Sequence, residues 1–264
     1  MTEFWHDAAL PQLEARRSCQ DAACYRPHSH DRFSIGLIDA GTTTFTGADG
    51  APVPLAAGDV ILVPAGHVHS CNPDRGRWEY GMIHVDQDWV ASLLPAGSGA
   101  LLAGITVLRA PSPYLRVRAV EDLLFASDGP VDGAQVEEAL RQALHACATT
   151  PPHRRIAPAT DETLLERLRP VLARLHEDAS NPALDELAAV AGMDRYALVR
   201  TMKRATGLTP VAWRHNDRVT AARAMLRAGR PLAETAYELG FADQSHFHRV
   251  FRAHVAATPG VYRR

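Results

Sequence analysis

The residues best suited to chemistry in this chain are histidines in its first half and arginines in its second. His28 and His30 are two apart, so on a strand both imidazoles face the same side. His69 lies in a later stretch, with His67 nearby. Imidazoles converging from two strands suit Zn, Ni, Cu or Fe. The same side chains can instead line a pocket and hydrogen-bond an organic ligand. Together with Tyr25, Arg26, Trp78 and Tyr80 they form a candidate effector pocket. Aromatic walls with a few polar groups suit a small polar or amphipathic molecule. Arg26 can pair with a carboxylate there, or stand on the surface before Pro27.

The segments around these histidines read as short strands. Residues 32–38 alternate Phe33, Ile35 and Leu37 with smaller residues, and Ala40-Gly41 ends the run. Residues 42–46 are β-branched and aromatic, and the turn at 47–50 follows. Residues 59–63 are a short apolar run between Gly58 and Pro64. In 78–85, Trp78, Tyr80, Met82 and His84 share one face. Short strands with Gly, Pro and Asp turns predict a sandwich or barrel. A Gly/Pro/Ser-rich stretch follows, and then the period changes to that of helices over 115–126 and 136–147. Residues 149–160 carry three prolines and no periodicity, as an exposed linker would. Everything beyond Asp161 reads as helix. Pro170 predicts a kink or break in the first of these helices.

Charge divides at the same place. The chain of 264 residues has 28 Lys+Arg against 30 Asp+Glu, a net of −2. Residues 1–160 carry 12 Arg and 18 acids, a net of −6, while residues 161–264 carry 15 Arg, Lys203 and 12 acids, a net of +4. The basic part is therefore the candidate for polyanion contact. No apolar run is long enough to span a bilayer, and the N-terminus lacks the pattern of a secretory signal. Cys19, Cys24, Cys71 and Cys147 form no CxxC pair and are too sparse for a disulfide scaffold. These features predict a cytoplasmic protein with no membrane partner.

The basic part repeats itself. Ala188, Gly192 and Met193 recur 48 residues later as Ala236, Gly240 and Phe241. Leu198, Arg200, Met202, Thr209, Pro210 and Trp213 recur after 49 as Phe247, Arg249, Phe251, Thr258, Pro259 and Tyr262. Each copy reads as a helix, a glycine turn and a second helix opened by Asp194 or Asp243, the shape of a helix-turn-helix. An α-helix fits the DNA major groove, and the helix before it braces it. Arg195, Tyr196, Arg200, Lys203 and Arg204 lie on the first second-helix. Gln244, Ser245, His246, His248, Arg249 and Arg252 lie on the other. Arg can fork onto guanine, Gln onto adenine, and the remaining cations onto phosphates.

The segment 240–264, with its pattern GF-x-D-QSHF-x-R-x-F…TP-x-x-YR, resembles the C-terminal signature of AraC/XylS-type transcription regulators. Residues 184–213 resemble the first helix-turn-helix of the same family. The resemblance implies two such units joined by a long helix around 211–226, entering successive major-groove segments on one DNA face. Ala256 stands where the family usually has Gly, as Gly207 does in the first copy. Residues 27–41 and 58–73 resemble the two motifs of a cupin barrel, with G-x5-P-x-G-x2-H read at Gly58, Pro64, Gly66 and His69. Before an AraC-type half, this looks like the family's effector-binding and dimerising domain. Enzymatic cupins add a Glu after the His pair, and Phe33-Ser34-Ile35 stands there instead.

The expected architecture is β then α. Residues 1–150 form a cupin-like barrel with two flanking helices, 151–160 a linker, and 161–264 an all-α domain with two helix-turn-helix units. The expected function is sequence-specific transcription regulation, controlled by a small-molecule effector and without catalysis. Expected partners are double-stranded DNA, the effector, a second copy through the N-terminal domain, and RNA polymerase. No cofactor is required on this reading. Two alternatives remain open: a regulator responding to a divalent metal on His28, His30 and His69, and a cupin enzyme with a helical partner domain.

Overall fold

The computed structural model describes residues 2–20, 25–48, 50–73, 76–126, 129, 131–158 and 161–263. Cys24, Asp49 of the 47–50 turn, residues 159–160 of the expected linker and Arg264 lie outside the described residues. The chain divides into two compact units. One comprises residues 1–23, 30–67 and 71–158, and the other residues 24–29, 68–70 and 159–264.

The first unit is built on two sheets. Its strands are β1 (Thr2–His6), β2 (Leu13–Gln20), β3 (Phe33–Ala40), β4 (Thr42–Thr46), β5 (Pro52–Ala56), β6 (Asp59–Val63), β7 (Ser70–Pro73), β8 (Trp78–Val85), β9 (Ile105–Arg109) and β10 (Arg154–Ile156). Seven pair in the order β1-β2-β8-β3-β6-β9-β10, and three in the order β5-β4-β7. The expected cupin-like barrel is thus built from two sheets, and among the described residues β1 and β10 each pair with one neighbour. Helices α1 (Gln87–Leu93), α2 (Pro111–Phe125) and α3 (Gly133–Thr149) accompany them.

Period-two alternation divides the large sheet into two chemically distinct faces. Leu13, Ala15, Phe33, Ile35, Leu37, Ile83 and Val85 pack with Val117, Val120 and Leu124 of α2 and Val136, Leu140 and Leu144 of α3. The opposite face carries Arg16, Ser18, Ser34, Trp78, Tyr80 and His84, all buried. Helix α2 begins earlier than its apolar period predicts, because Pro111 occupies the first turn, where a missing N–H costs nothing. Residues 154–156, expected as free linker, pair with β9 and bury Ile156.

One buried charge joins α2 to the sheet. Glu121 is fully buried against Gly81 of β8, with Arg17 Nε at 3.5 Å and Arg118 Nη1 at 3.1 Å. Burial outweighs both guanidinium groups and pushes its carboxyl up to about 7. A folded pKa above the unfolded value of 4.5 means the native state holds this proton more tightly. Stability should therefore fall as pH rises from 4.5 to 7, by on the order of 2 kcal/mol. Glu121→Gln should lose that slope, and denaturant titrations at pH 5 and pH 8 read it directly. Equal pH slopes in the two proteins would show that Glu121 does not titrate in this window.

The second unit is helical. It contains α4 (Glu162–Glu177), α5 (Leu184–Val190), α6 (Arg195–Thr206), α7 (Pro210–Arg227), α8 (Leu232–Glu238), α9 (Gln244–Val255) and α10 (Pro259–Tyr262). Helix α4 runs unbroken through Pro170. Pro170 and Glu166 are both exposed, so the carbonyl deprived of its intrahelical donor faces water. Leu168, Val171 and Leu175 of α4 form a core with Leu187, Leu198 and Met202 of the first helix pair. The second pair places rings at the repeated positions: Phe247 lies 5.1 Å from Phe241 and 5.6 Å from Phe251, whose ring is 5.5 Å from Tyr262.

The two copies end their second helices alike but with unequal comfort. Gly207 closes α6 at φ 77°, and Ala256 closes α9 at φ 51°, both left-handed. Alanine pays a steric penalty there that glycine does not. Ala256→Gly should raise stability by about 1 kcal/mol, measured by urea unfolding. A neutral or destabilising result would mean the cap is not strained.

Candidate DNA interface and effector site

The second helix of each pair is anchored at its start by an aspartate. Asp194 Oδ1 accepts from the backbone N–H groups of Tyr196 and Ala197, both at 2.8 Å, which holds its carboxyl below the usual range. Asp243 Oδ1 accepts from His246 N at 2.6 Å. These caps satisfy donors that a helix start leaves free. The glycine turns before them take positive φ, 62° at Gly192 and 67° at Gly240.

The expected DNA-contacting residues lie on α6 and α9 and are mostly exposed. Arg195, Tyr196, Arg200, Lys203 and Arg204 are all exposed on α6. Arg195 stands over the Tyr196 ring at 5.0 Å and donates to its hydroxyl at 3.3 Å. On α9, Gln244, Ser245, Arg249 and Arg252 are exposed, while His246 and His248 are half-buried. His246 is turned inward: its Nδ1 accepts from Ala242 N at 3.4 Å, and its ring meets Phe241 edge-on at 5.5 Å.

Helix α7 joins the two pairs, and over 18 residues it spans roughly 27 Å. Its Arg218, 5% exposed, was not singled out from the sequence. Nη1 donates to Asn181 Oδ1 at 2.8 Å and Gly240 O at 3.0 Å, and Nη2 to Asp178 O and Ala179 O at 3.3 Å each. One guanidinium thus ties the segment after α4 to the turn of the second pair. Its acceptors lie 22 to 40 residues away in the chain, so no local spacing marks it.

The effector-pocket residues divide between the two units. Tyr25, Arg26, His28 and His69 belong to the second. There His28 and His69 form an isolated antiparallel bridge, with backbone bonds of 2.9 and 2.8 Å and ring centroids 4.7 Å apart. Burial first, and the neighbouring His69 second, push the His28 imidazole well below its ordinary pKa, so it is neutral. Tyr25 is buried 6.0 Å from the His28 ring. Arg26 is exposed, and its backbone N–H donates to Ala253 O of α9 at 3.2 Å. Ser29 N donates to Asn216 Oδ1 of α7 at 3.0 Å, and Asn216 Nδ2 returns a bond to Ser29 Oγ at 3.1 Å.

His30, Trp78 and Tyr80 belong to the first unit. The Trp78 and Tyr80 rings stack at 4.2 Å, and the buried Trp78 Nε1 meets no acceptor among the described residues. His30 lies 4.5 Å from His84, whose Nδ1 is 2.8 Å from Ser34 Oγ. Arg16 stands 5.3 Å from both the Phe4 and Tyr80 rings and donates from Nε to Ser18 Oγ at 2.6 Å. Arg16, Ser34 and His84 went unmarked in the sequence. The signal available was alternation, which puts His84 on the face of Trp78 and Tyr80.

Comparison with known proteins matches both units. The AraC-like ligand binding domain model covers residues 10–144, about half of the chain, and a helix-turn-helix domain model covers residues 187–264. An uncharacterized HTH-type transcriptional regulator of Bacillus subtilis, YbfI, is 26% identical over 236 residues, covering 83% of this chain and 80% of that protein. The transcriptional activator NphR of Rhodococcus is 36% identical over 101 residues, 38% of this chain and 30% of that protein. Among solved structures, ToxT of Vibrio cholerae with a bound unsaturated fatty acid shares the fold at a TM-score of 0.57 and 14% identity. That alignment covers all of this chain and 94% of the ToxT chain. With a ligand-binding domain of this type in its first half and two capped helix-turn-helix units in its second, the chain belongs to the AraC family of transcription regulators.

Proposed function

We propose that α6 and α9 read DNA bases and phosphates, and that a small-molecule effector in the first unit controls this binding. The observation that carries the reading is the pair of Asp-capped helices, each presenting exposed Arg residues from a buried base. Residues near each helix start (Arg195, Tyr196, Gln244, Ser245) serve as base readers. Arg200, Lys203, Arg204, Arg249 and Arg252 serve mainly as phosphate contacts. His246 and His248, being half-buried, hold α9 in place. Among the described residues no helix is long and apolar enough to cross a membrane. On this reading the chain acts in the cytoplasm as a regulator rather than a catalyst. It pairs with a second copy through the first unit and engages RNA polymerase at a promoter.

The polar face of the large sheet supports an effector site. Arg16, Ser34, His84 and the Trp78 indole N–H put donors among aromatic rings, the composition of a small-molecule site. A ligand can shift DNA binding only as far as it prefers one conformational state. The divalent-metal alternative rests on the neutral His28 facing His69, since only neutral imidazole ligates. Metal content after purification without a His tag, and DNA binding with and without chelator, decide between them.

Operator selection from random duplexes, followed by titration at several salt concentrations, tests the DNA reading. Affinity should fall steeply with salt, because phosphate contacts release counterions. Arg200→Ala and Arg249→Ala should each weaken binding about tenfold. Wild-type affinity in both variants would remove α6 and α9 from the interface.

A further inference from the structure

We propose that the cleft between α2 and α3 in the first unit binds a small phosphate-bearing anion. The cleft has a volume of about 490 Å³ and is lined by Ser112, Arg116, Arg141, Gln142, His145, Ala146 and Thr149. That size accommodates a small organic ligand. Three of the lining side chains are basic, three more carry hydrogen-bond donors, and none is a carboxylate. This is notable because residues 1–160 as a whole carry a net charge of −6.

Helical geometry accounts for the clustering. Ser112 and Arg116 are four apart on α2, and Arg141, His145 and Thr149 form a four-residue ladder on α3, so each set stands on one face. The present commitments of these groups leave room for an anion. Arg116 Nη1 donates to the neutral Gln142 Oε1 at 2.9 Å, so its charge is uncompensated by that bond. Arg141 Nη2 meets Glu137 Oε1 at 2.6 Å, and its Nε lies 3.6 Å from Glu138 Oε2. Both pairs are on the exposed helix surface, where such pairs contribute little. Thr149 Oγ1 donates to His145 O at 2.9 Å. Arg116 from α2 and Arg141 from α3 both line the cleft, and guanidinium groups suit phosphate oxygens, which accept bidentate bonds. The site is separate from the polar face of the sheet, and the proposal does not depend on the effector reading.

The full chain, free of DNA, should be titrated by calorimetry with inorganic phosphate and with a nucleoside monophosphate. Saturable one-site binding is expected, weakened about tenfold by Arg116→Gln and by Arg141→Gln. Comparable affinity for the two probes would assign the site to phosphate itself, and tighter nucleotide binding to an organic phosphate. The exposed Arg169 of α4 lies outside the cleft and outside the proposed DNA contacts, so Arg169→Ala serves as the control and should leave binding unchanged. Glu137→Gln combined with Glu138→Gln frees Arg141 and should tighten binding, which keeps the test decisive if a loss variant is unstable. No saturation of either probe at roughly 10 mM, or full retention of binding in both Arg116→Gln and Arg141→Gln, would overturn the proposal.

Discussion

Gly240→Ala should displace α9 and lower stability by about 3 kcal/mol. Two independent effects act at this position. Its φ of 67° lies in the left-handed region, which L side chains enter at a cost. A Cβ there would also fall on the carbonyl oxygen of Ala179, in the backbone that follows α4. Backbone cannot rotate away as a flexible side chain can, so the turn itself must move. The corresponding Gly192 has the same sign of φ but no neighbour within 4 Å of an added Cβ. Gly192→Ala should therefore cost only the conformational part, about 1 kcal/mol. Chemical unfolding monitored by tryptophan fluorescence compares the two. Equal losses would mean that contact with Ala179 plays no part.

Arg218→Met should cost about 2–3 kcal/mol and reduce DNA affinity without touching a proposed DNA contact. Methionine keeps most of the length and packing of the side chain but supplies no donors. The oxygens of Asp178, Ala179, Asn181 and Gly240 then lose a charged partner together. Asn181 is itself held at φ 61° and donates to Gly240 O at 3.3 Å, so the network cannot re-form by a small shift. Because Arg218 and Gly240 share one bond, Gly240→Ala and Arg218→Met should be non-additive, the double variant losing less than the summed singles. A double-mutant cycle by urea denaturation measures this. Strict additivity would mean that the guanidinium does not act through the turn. If Arg218→Met leaves DNA affinity unchanged, α6 and α9 do not need this tie to be positioned.

Much of the second unit was legible because its determinants are local. The 48- and 49-residue repeat, the Asp caps and the glycine turns are all short-range patterns, and α6, α7 and α9 stand where they put them. Leu198 and Met202 recur as Phe247 and Phe251, and all four are buried. Ala256 in the glycine position announced a strained cap, and the left-handed φ is there. Pro170 does not break α4, because a proline on the solvent side loses a bond that water replaces.

The first unit was less legible. Strands β1, β2, β5 and β9 carry weak alternation on their own and owe their state to neighbours far away in sequence. The pocket residues show the same limit. Type and spacing identified Tyr25, Arg26, His28, His30, His69, Trp78 and Tyr80 as one set, and the fold distributes them over two units.

The sequence by itself determined the division into an acidic β-rich half and a basic helical half, the duplicated helix-turn-helix and its exposed arginines. Those features depend on composition, on short periods and on caps that act within a few residues. Tertiary structure alone decided the two-sheet arrangement, the buried Glu121, the Arg16 and His84 face, the Arg218 tie and the basic cleft between α2 and α3. Each of these depends on which distant backbone a side chain meets once its element is packed, and no local pattern encodes that encounter.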